Sequence, residues 1–399
     1  MIKVGSDFSG VGAFNQALIR LGIEYKELFA CDMDKYARQT FIHNYGEPEY
    51  YPTNVYEREI PSESLDIYMT SPPCQAFSLA GKRLGKDDKR GILFFNSYEF
   101  IQVNKPRYFI FENVKGLLSD DNGKTFQEWV NMLGGKSVNG IPVIFPYEES
   151  VPYHLYWQVL NAKNHGVSQN RERVFLIGIR DDLDNNFQFP REEYLTKKLK
   201  DVLEDGVDDK YFLSETAVNG ILNTKFQIRA NTIQEKDYVD CLTACDYKSP
   251  KAIKIKSGTA KGYEEAKEGD SINFSVPNSE TRRGRVGKGV AQTLDTSCNQ
   301  EVLIGDYRTD EGFRWRQDGN SPAIMAMMRD TWKENFTGQN PPIINKDYKI
   351  RRLTPRECFR LMDFPDTFTW PVSDSQAYKQ AGNSIVVNVL YKIIKNLNL

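Results

Sequence analysis

Short apolar runs alternate with segments of helical periodicity through the first half of the chain, and this alternation restricts the fold more than any other feature of the sequence. The strand-like runs are 2–6, 28–31, 65–69, 108–111, 155–160 and 174–179, and the clearest helical segments are 11–21 and 35–43. Strands that alternate with helices build βαβ units, whose strands are parallel. We therefore predict an α/β fold with a doubly wound, mainly parallel sheet, and we place its core at residues 1–185.

The alternation ends after Arg180, where the sequence changes character. Residues 186–349 mix turn residues, charges and short strand-like runs, which predicts a smaller, strand-rich second domain. Helix signals return in 350–399, where the run Thr354-Pro355-Arg356-Glu357 combines an N-cap, a proline at N1 and an acid at N3. A chain of 399 residues is long enough for two domains, which agrees with this division.

The composition is that of a soluble globular protein, with 27% charged and 40% hydrophobic residues. The first six residues enter a strand directly, so we expect no signal peptide and no membrane segment, and we place the protein in the cytoplasm. The six cysteines lack the CxxC pairs of a structural zinc site. We therefore predict free thiols and no bound metal.

One of these cysteines, Cys74, occupies a position suited to chemistry. It follows the apolar run 65–69, within Thr70-Ser71-Pro72-Pro73-Cys74-Gln75-Ala76-Phe77-Ser78. Loops at the carboxyl ends of parallel strands form the sites of open α/β sheets, and two prolines restrict the backbone that leads to the thiol. The alternative role for a lone cysteine is inert filling of a core, and the neighbouring motifs argue against it.

A glycine-rich turn, Asp7-Phe8-Ser9-Gly10-Val11-Gly12, joins the first strand to the first helix. Its small residues and backbone N–H groups allow a ligand to approach the start of a helix, although the spacing differs from the G-x-G-x-x-G of dinucleotide sites. Asp32 ends the second strand, where folds of this kind bind a ribose hydroxyl. The alternative role for Asp32 is to cap the helix that follows.

Charged side chains mark two further strand ends. Glu112 is expected to share one sheet edge with Cys74, as the proton-handling partner of a nucleophile. Strand alternation sends Arg171 and Arg173 to one side, where two guanidiniums can orient an anionic or carbonyl-bearing substrate. A solvated pair of arginines is the alternative. The three histidines have no motif context, which disfavours a Cys/His hydrolase.

The net charge of −2 argues against nucleic-acid binding through overall charge. Between Lys248 and Lys288, however, basic residues outnumber acids, and this stretch, which includes Arg285, is a candidate surface for phosphates. A solvated face of mixed charge accounts for the same composition.

Six motifs in this order resemble the motif set of the bacterial and phage DNA (cytosine-5) methyltransferases. They are Asp7-Phe8-Ser9-Gly10-Val11-Gly12, Ser71-Pro72-Pro73-Cys74-Gln75, Glu112-Asn113-Val114, Gln169-Asn170-Arg171-Glu172-Arg173, Arg352-Leu353-Thr354-Pro355-Arg356-Glu357 and Gln380-Ala381-Gly382-Asn383-Ser384. The resemblance covers 1–180 and 350–399. It implies the fold of S-adenosylmethionine-dependent methyltransferases, a target recognition domain at 186–349, and a C-terminal segment that returns to the catalytic core.

The resemblance also implies the reaction: methyl transfer from S-adenosylmethionine to C5 of a cytosine flipped out of duplex DNA, with S-adenosylhomocysteine as product. Cys74 would add to C6 of the base, Glu112 would meet N3 and the exocyclic amine, and Arg173 would contact O2. Arg171 is assigned to the same catalytic group.

For the methyl donor, the resemblance implies a pocket built from both ends of the chain. Its predicted residues are Asp7, Phe8, Ser9, Gly10, Val11, Gly12, Asp32, Met33, Asn54, Pro73, Asn383 and Ser384. Two positions depart from the family pattern: Met33 stands where an aromatic residue is common, and Asn54 stands where many members carry an acid that faces the adenine amine. A sulfur contact would replace stacking at the first position.

The residues predicted to contact DNA are Gln75, Ser78, Arg83, Arg285, Thr293 and Leu294. Arg83 belongs to a basic loop at 81–90, and Thr293-Leu294 resembles a family dipeptide near the target base. We expect a monomer in a prokaryotic or phage-infected cell, with double-stranded DNA as partner and a separate cognate restriction endonuclease as candidate companion. The competing interpretations are an RNA-directed enzyme of the same chemistry, a catalytically silent DNA-binding regulator, and a cysteine hydrolase.

Overall fold

The computed structural model describes residues 1–73, 93–183, 185–212, 253–266, 270–273, 283–293, 300–308, 312–313 and 348–399. The strands are β1 (Ile2–Asp7), β2 (Tyr25–Cys31), β3 (Ile67–Thr70), β4 (Tyr108–Val114), β5 (Ser137–Val138), β6 (Ile141–Pro142), β7 (Tyr153–Asn161), β8 (Gln169–Asn170), β9 (Glu172–Arg180), β10 (Ile253–Lys256), β11 (Tyr263–Ala266), β12 (Ser271–Asn273), β13 (Val286–Gly287), β14 (Ala291–Gln292), β15 (Gln300–Arg308), β16 (Gly312–Phe313) and β17 (Tyr348–Arg352). The α-helices are α1 (Ala13–Arg20), α2 (Lys35–Tyr45), α3 (Leu93–Asn104), α4 (Lys124–Leu133), α5 (Pro355–Leu361), α6 (Asp374–Asn383) and α7 (Val387–Lys395). Short 3-10 helices lie at Lys115–Gly123, Ala162–His165, Leu199–Val202 and Asp209–Tyr211.

The main sheet has eight strands in the order β2-β1-β3-β4-β9-β7-β5-β6. The neighbours β2, β1, β3 and β4 are parallel, as the alternation of strands and helices predicts. β9 lies between β4 and β7 and is antiparallel to both. Residues 162–171 alone connect β7 to β9, and a parallel crossover needs roughly a dozen residues or more. The α/β fold is therefore confirmed, and the expectation of parallel strands is wrong for β9.

The parallel strands end at one edge of the sheet. Asp7 at the end of β1 pairs with Thr70 at the end of β3, and Thr70 pairs with Phe111 on β4. The segments that follow β1, β3 and β4 therefore leave the sheet side by side. The glycine-rich turn follows β1, residues 71–73 follow β3, and Glu112 lies near the end of β4.

Aromatic rings fill the core between this sheet and the helices α3 and α4. Phe94 stacks on Trp129 with a centroid distance of 4.2 Å, and Tyr68 stacks on Phe100 at 4.1 Å. All four side chains are buried. Because burying one large apolar side chain is worth roughly 1.5–3 kcal/mol, these rings fix α3 firmly against β3.

The C-terminal helices pack on the first part of the chain. α7 packs against α1, and Gln380 on α6 accepts a hydrogen bond of 3.0 Å from Thr40 on α2. Lys379 forms an ion pair of 2.6 Å with Asp34, the residue that caps α2. The C-terminal segment thus returns to the first half of the chain in the way the sequence motifs imply.

The described chain forms two compact units. The first contains Met1–Lys198, Thr293 and Pro355–Leu399, and the second contains the described residues of 199–292 and 300–354. The divisions lie somewhat C-terminal to the predicted boundaries of 185/186 and 349/350. One reason is that Phe187 packs on Tyr156 of β7 with a ring distance of 5.5 Å, and the other is that β17 pairs with β15.

The second unit is built from short antiparallel strand pairs, among them β10 with β11 and β12 with β15. This agrees with the strand-rich content that its sequence predicts. Among the described residues of both units, no helix combines the length and the apolar character that a membrane crossing requires.

A buried polar cluster lies on β2, away from the parallel strand ends. The Asn15 amide donates hydrogen bonds to Glu27 Oε2 at 3.0 Å and to the Tyr25 hydroxyl at 3.2 Å. Glu27 Oε1 is buried and has no hydrogen-bond partner among the described residues. Burial raises the pKa of Glu27 to about 7.

We expect the substitution Glu27→Gln to stabilise the protein at alkaline pH. The native carboxyl holds a proton that the unfolded chain releases near pH 4.5, so the free energy of unfolding falls as the pH rises from about 4.5 to about 7. A pKa difference of roughly 2.5 corresponds to about 3 kcal/mol, and an amide does not lose this stability. Thermal unfolding at pH 5 and pH 8 measures the effect: the gain should be large at pH 8 and small at pH 5. A gain that is equal at both pH values would contradict the assignment.

Candidate active site

The turn between β1 and α1 adopts a backbone that depends on glycine. Gly10 and Gly12 have φ values of 55° and 85°, and Phe8 has a φ of 58°. A Cβ on Gly12 would lie 2.2 Å from Tyr45 Cε2, whereas a Cβ on Gly10 would meet no heavy atom within 4 Å. The backbone at Gly10 is therefore open to a ligand, and the start of α1 lies directly behind it.

The other side chains of the turn secure it to the fold. Val11 is buried, and Phe8 packs against the aromatic core. The Ser9 hydroxyl lies 3.2 Å from the Tyr51 hydroxyl, and the Ser9 N–H donates to the Cys31 carbonyl at 3.0 Å. The turn is thus held against the end of β2.

We expect Gly12→Ala to destabilise the protein more than Gly22→Ala. Both glycines have positive φ values, of 85° and 67°, and that conformation alone costs an alanine about 1 kcal/mol. At Gly22 a Cβ would meet nothing within 4 Å, but at Gly12 it would displace the Tyr45 ring. Denaturant unfolding should show a loss of about 1 kcal/mol for Gly22→Ala and of at least about 2 kcal/mol for Gly12→Ala. Equal losses would mean that the ring moves aside freely.

Asp32 binds the turn from the end of β2. Its Oδ2 accepts a hydrogen bond of 2.8 Å from the Gly10 N–H, and its Oδ1 accepts one of 2.8 Å from the Asp34 N–H. Burial raises the pKa of this carboxyl, against the effect of these two donors. Met33, the next residue, is 86% exposed. The carboxylate thus lies beside the open backbone of Gly10, and an uncovered thioether follows it.

Asn54 is engaged within its own loop. Its side-chain oxygen accepts a hydrogen bond of 3.1 Å from the Tyr56 N–H, and its amide nitrogen donates to Glu57 at 2.8 Å. The amide oxygen therefore stabilises a local turn. A hydrogen bond to adenine would have to share that oxygen.

Asp7 lies beneath the turn and not in it. Its carboxylate is 1% exposed and accepts hydrogen bonds from Arg58 Nε at 3.0 Å and from the Tyr68 hydroxyl at 2.6 Å. Burial raises the pKa of Asp7, and the Arg58 guanidinium opposes that rise. The predicted contact of Asp7 with the cofactor is corrected for its side chain, because both oxygens point into the core.

Glu112 and Arg173 meet at adjacent strand ends. Glu112 on β4 pairs with Phe175 on β9, and Arg173 lies on β9 two residues before Phe175. Arg173 Nε lies 3.1 Å from Glu112 Oε1, and the two side chains are 15% and 10% exposed. Burial raises the pKa of Glu112, while the guanidiniums of Arg173 and Arg171 lower it less strongly. The result is a buried carboxyl with a raised pKa beside a fixed cation.

The Arg171 guanidinium is held at the C-terminal end of α6. Its Nη2 donates to the carbonyls of Ser384 at 2.8 Å and of Gly382 at 3.1 Å, and the side chain is buried. Arg171 lies between β8 and β9, so strand alternation does not apply to it. Arg171 thus positions the end of α6, and its catalytic role stays a prediction.

The approach to Cys74 is anchored on β4. Asn113 Nδ2 donates to the Pro72 carbonyl at 3.2 Å, and Thr70 shares a hydrogen bond of 2.8 Å with Ser97 on α3. Pro72 is buried and Pro73 is exposed. The predictions for Cys74, Gln75, Ser78, Arg83 and the loop 81–90 lie outside the described residues.

The two C-terminal residues predicted for the cofactor pocket differ in exposure. Asn383 is exposed, whereas Ser384 is buried and is held through its carbonyl by Arg171. The Ser384 hydroxyl donates to the Ile385 carbonyl at 3.2 Å. Asn383 is therefore the residue of this pair that offers a side chain to a ligand.

The predicted DNA contacts have different positions in the structure. Thr293 donates its hydroxyl to the Asn170 carbonyl at 2.9 Å and is partly exposed, while Leu294 lies outside the described residues. Arg285 is 1% exposed, and its Nη1 lies 3.4 Å from the Asn273 carbonyl. The prediction that Arg285 contacts phosphates from the surface is corrected, because its guanidinium is packed inside the second unit.

Arg58 and Asn113 make structural contacts that their own sequence neighbourhoods record to different degrees. Arg58 has no motif around it, and nothing in its neighbourhood predicts a partner fifty-one positions away on β1. Asn113, by contrast, belongs to the quoted motif Glu112-Asn113-Val114, which provided a signal for its role at Pro72. Among the described residues there is no group of His, Cys, Asp and Glu that could hold a metal ion.

The sheet order, the glycine turn and the charged pair at strand ends define an α/β enzyme of the methyltransferase fold. A solved Dnmt2 methyltransferase from S. pombe matches with a TM-score of 0.57 at 17% identity, and the match covers 100% of both chains. A putative DNA modification methyltransferase encoded within an E. coli prophage matches with a TM-score of 0.56 at 16% identity, over 99% of this chain and 98% of that one.

The chain belongs to the C-5 cytosine-specific DNA methylases, whose family model matches residues 2–398. The orphan methyltransferase M.SPRI of Bacillus phage SPR is 32% identical over 99% of this chain and 97% of its own length. The type II methyltransferase M.HhaI of Haemophilus parahaemolyticus is 30% identical over 98% of this chain and 92% of its own length. The protein is accordingly a DNA (cytosine-5) methyltransferase.

Proposed function

We propose that this enzyme transfers the methyl group of S-adenosylmethionine to C5 of a flipped-out cytosine in a specific duplex DNA sequence, through a transient bond between Cys74 and C6. The observation that carries the proposal is the ion pair between Glu112 and Arg173 beside the anchored strand end of β3. A carboxyl whose pKa is raised by burial and a fixed guanidinium are the two groups that an addition to the pyrimidine ring requires.

The residues of the turn fit the methyl donor. Gly10 leaves its outer face open, Asp32 presents a carboxylate next to it, and Met33 is uncovered for contact with an adenine ring. Each Asp32 oxygen accepts one backbone hydrogen bond and keeps a second lone pair for a ribose hydroxyl. When bound, S-adenosylmethionine supplies an electrophilic methyl group at the sheet edge.

Cytosine C5 is a weak nucleophile, so the protein has to activate the ring. The Cys74 thiolate adds to C6, and the proton of Glu112 at N3 neutralises the charge that this addition places on the base. Arg173 orients the ring from the O2 side and keeps Glu112 in place. After methylation, loss of the C5 proton to solvent expels Cys74 as the thiolate, and N3 returns its proton to Glu112, which restores the neutral aromatic base.

The target base must leave the double helix, because C6 cannot be attacked inside the stack. Unstacking costs a few kcal/mol, about the scale that contacts with the flipped base and the backbone can offset. We propose that the enzyme acts as a monomer on double-stranded DNA. The type II relatives support a setting in which a separate restriction endonuclease cuts the same sequence in a bacterial or phage-infected cell.

The test is incubation with S-adenosylmethionine labelled in its methyl group. We expect label to enter duplex DNA and not tRNA, and bisulfite sequencing of DNA from expressing cells to locate it at C5 of cytosines in one short sequence. Label in tRNA alone would favour an RNA-directed enzyme. Duplex binding without any transfer would favour a catalytically silent regulator.

A further inference from the structure

A buried ionic network joins the strands that lead into the active site, and the proposed reaction does not use it. Asp7 ends β1, Arg58 lies in the loop before β3, and Tyr68 lies on β3. Their exposed fractions are 1%, 8% and 0%. A buried ion pair adds little net stability, because the loss of hydration offsets the attraction. Its presence beneath the turn therefore calls for a reason other than stability.

The network connects three segments that border the site. The chain passes from Asp7 directly into the glycine-rich turn, and from Tyr68 through Thr70 to the buried Pro72. Arg58 Nη2 also lies 3.4 Å from the Asn96 carbonyl on α3. One guanidinium thus contacts groups on β1 and α3, and the Tyr68 hydroxyl links β3 to the same carboxylate.

The packing around the network makes it rigid. The Arg58 guanidinium lies over the Phe100 ring at 4.6 Å from its centroid, and Phe100 stacks on Tyr68. The carboxylate accepts a bond from each partner, one at each oxygen. A planar guanidinium and a stacked phenol allow few orientations. The hydrogen bonds to Asp7 therefore fix the end of β1 relative to β3.

We propose that Arg58 and Tyr68 are positioning residues, which act through Asp7 to set the cofactor turn against the strand that leads to the nucleophile. The inference rests on the proposed use of S-adenosylmethionine. If Asp7 loses a donor, the peptide that follows it gains freedom, and that peptide is the turn itself. The effect therefore falls first on binding of the methyl donor.

Two matched substitutions separate positioning from stability. Tyr68→Phe removes the hydroxyl that binds Asp7. Tyr153→Phe removes an equally buried hydroxyl, which donates to the Pro106 carbonyl at 2.7 Å on the far side of β4 and β9. Each variant loses the hydroxyl of a buried tyrosine that donates to a buried acceptor, and Tyr68 also hydrogen-bonds to Ser97, so both should lower the melting temperature. Only Tyr68→Phe should change the affinity for the methyl donor.

The measurement is the dissociation constant for S-adenosylmethionine by calorimetry, together with KM for the donor and for DNA. We expect Tyr68→Phe to raise the donor dissociation constant at least about fivefold, equivalent to about 1 kcal/mol, and KM for DNA to stay within about twofold. Tyr153→Phe should leave both constants within about twofold. Donor affinities that are the same in the two variants would overturn the inference, whereas a wild-type protein that binds no donor would overturn the proposed function.

Arg58→Lys provides a second test should Tyr68→Phe fail to fold. Lysine keeps a positive charge opposite Asp7 but cannot reproduce the planar contacts with the carboxylate and with Asn96. A raised donor dissociation constant in this folded variant supports positioning by geometry. An unchanged constant overturns it.

Discussion

Replacement of Cys74 by serine is expected to abolish methylation of duplex DNA, with a loss of at least roughly 10⁴-fold, the scale seen when a covalent nucleophile is removed. The physical reason is ionisation. A thiol is partly thiolate at neutral pH and is intrinsically nucleophilic, whereas a serine hydroxyl without an adjacent base is neither. The measurement is incorporation of labelled methyl groups into duplex DNA under saturating donor.

Cys358→Ala is the matched control for this substitution. Cys358 is 1% exposed on α5, so its removal alters packing but not chemistry. The second readout is duplex DNA that contains 5-fluorocytosine, in which the C5 fluorine cannot leave as a proton does. The wild-type protein and Cys358→Ala should form a covalent complex that survives denaturation, and Cys74→Ser should form none. Methylation that persists in Cys74→Ser would rule out the assigned nucleophile.

Cys31 is a poor candidate for the same role. It ends β2 beside the turn, but burial raises the pKa of its thiol to about 12, with a further contribution from the charge of Asp7. Such a thiol is almost entirely protonated at neutral pH. Cys31 therefore does not compete with Cys74 for the proposed role.

The sequence was sufficient for the parts of the site that follow from strand ends. Parallel strands finish at a common edge, so a pattern of short apolar runs predicts that the residues after β1, β3 and β4 lie together. Asp32 beside the turn and Glu112 on β4 were predicted in this way, and the structure places both at this edge. The apolar pattern does not predict the antiparallel direction of β9, because the length of the connection between β7 and β9 determines that direction.

The sequence pattern does not predict contacts between side chains that are far apart in the chain. Arg171 and Arg173 look equivalent in sequence, yet Arg173 meets Glu112 while Arg171 binds carbonyls on a segment more than two hundred residues away. Arg285 belongs to a basic stretch and was expected at the surface, but it is packed inside the second unit. In each case tertiary packing determines which groups the arginine contacts, and the local sequence pattern does not predict them.

The second large effect is expected for Glu112→Gln. This substitution tests whether Glu112 transfers a proton to the base, because glutamine keeps a hydrogen bond to the base but has no acidic proton. Glutamine has nearly the same shape and can still donate to the base, but it cannot transfer a proton to N3. We expect the rate of methyl transfer to fall by roughly 10²–10⁴-fold, the usual contribution of general acid catalysis. Affinity for duplex DNA should change little. Single-turnover rates and DNA titrations measure the two quantities separately.

The pH dependence of the rate tests whether Glu112 acts in its protonated form. Burial raises the pKa of Glu112, so the protonated form extends toward neutral pH. A rate that requires the protonated acid falls as the pH rises through that pKa, and this fall should be absent in Glu112→Gln. Glu172→Gln is the matched control: its carboxylate is 44% exposed and pairs with Lys115 at 2.9 Å, so its loss should leave both the rate and the pH profile unchanged. An alkaline fall of the rate that persists in Glu112→Gln would assign the proton to another group.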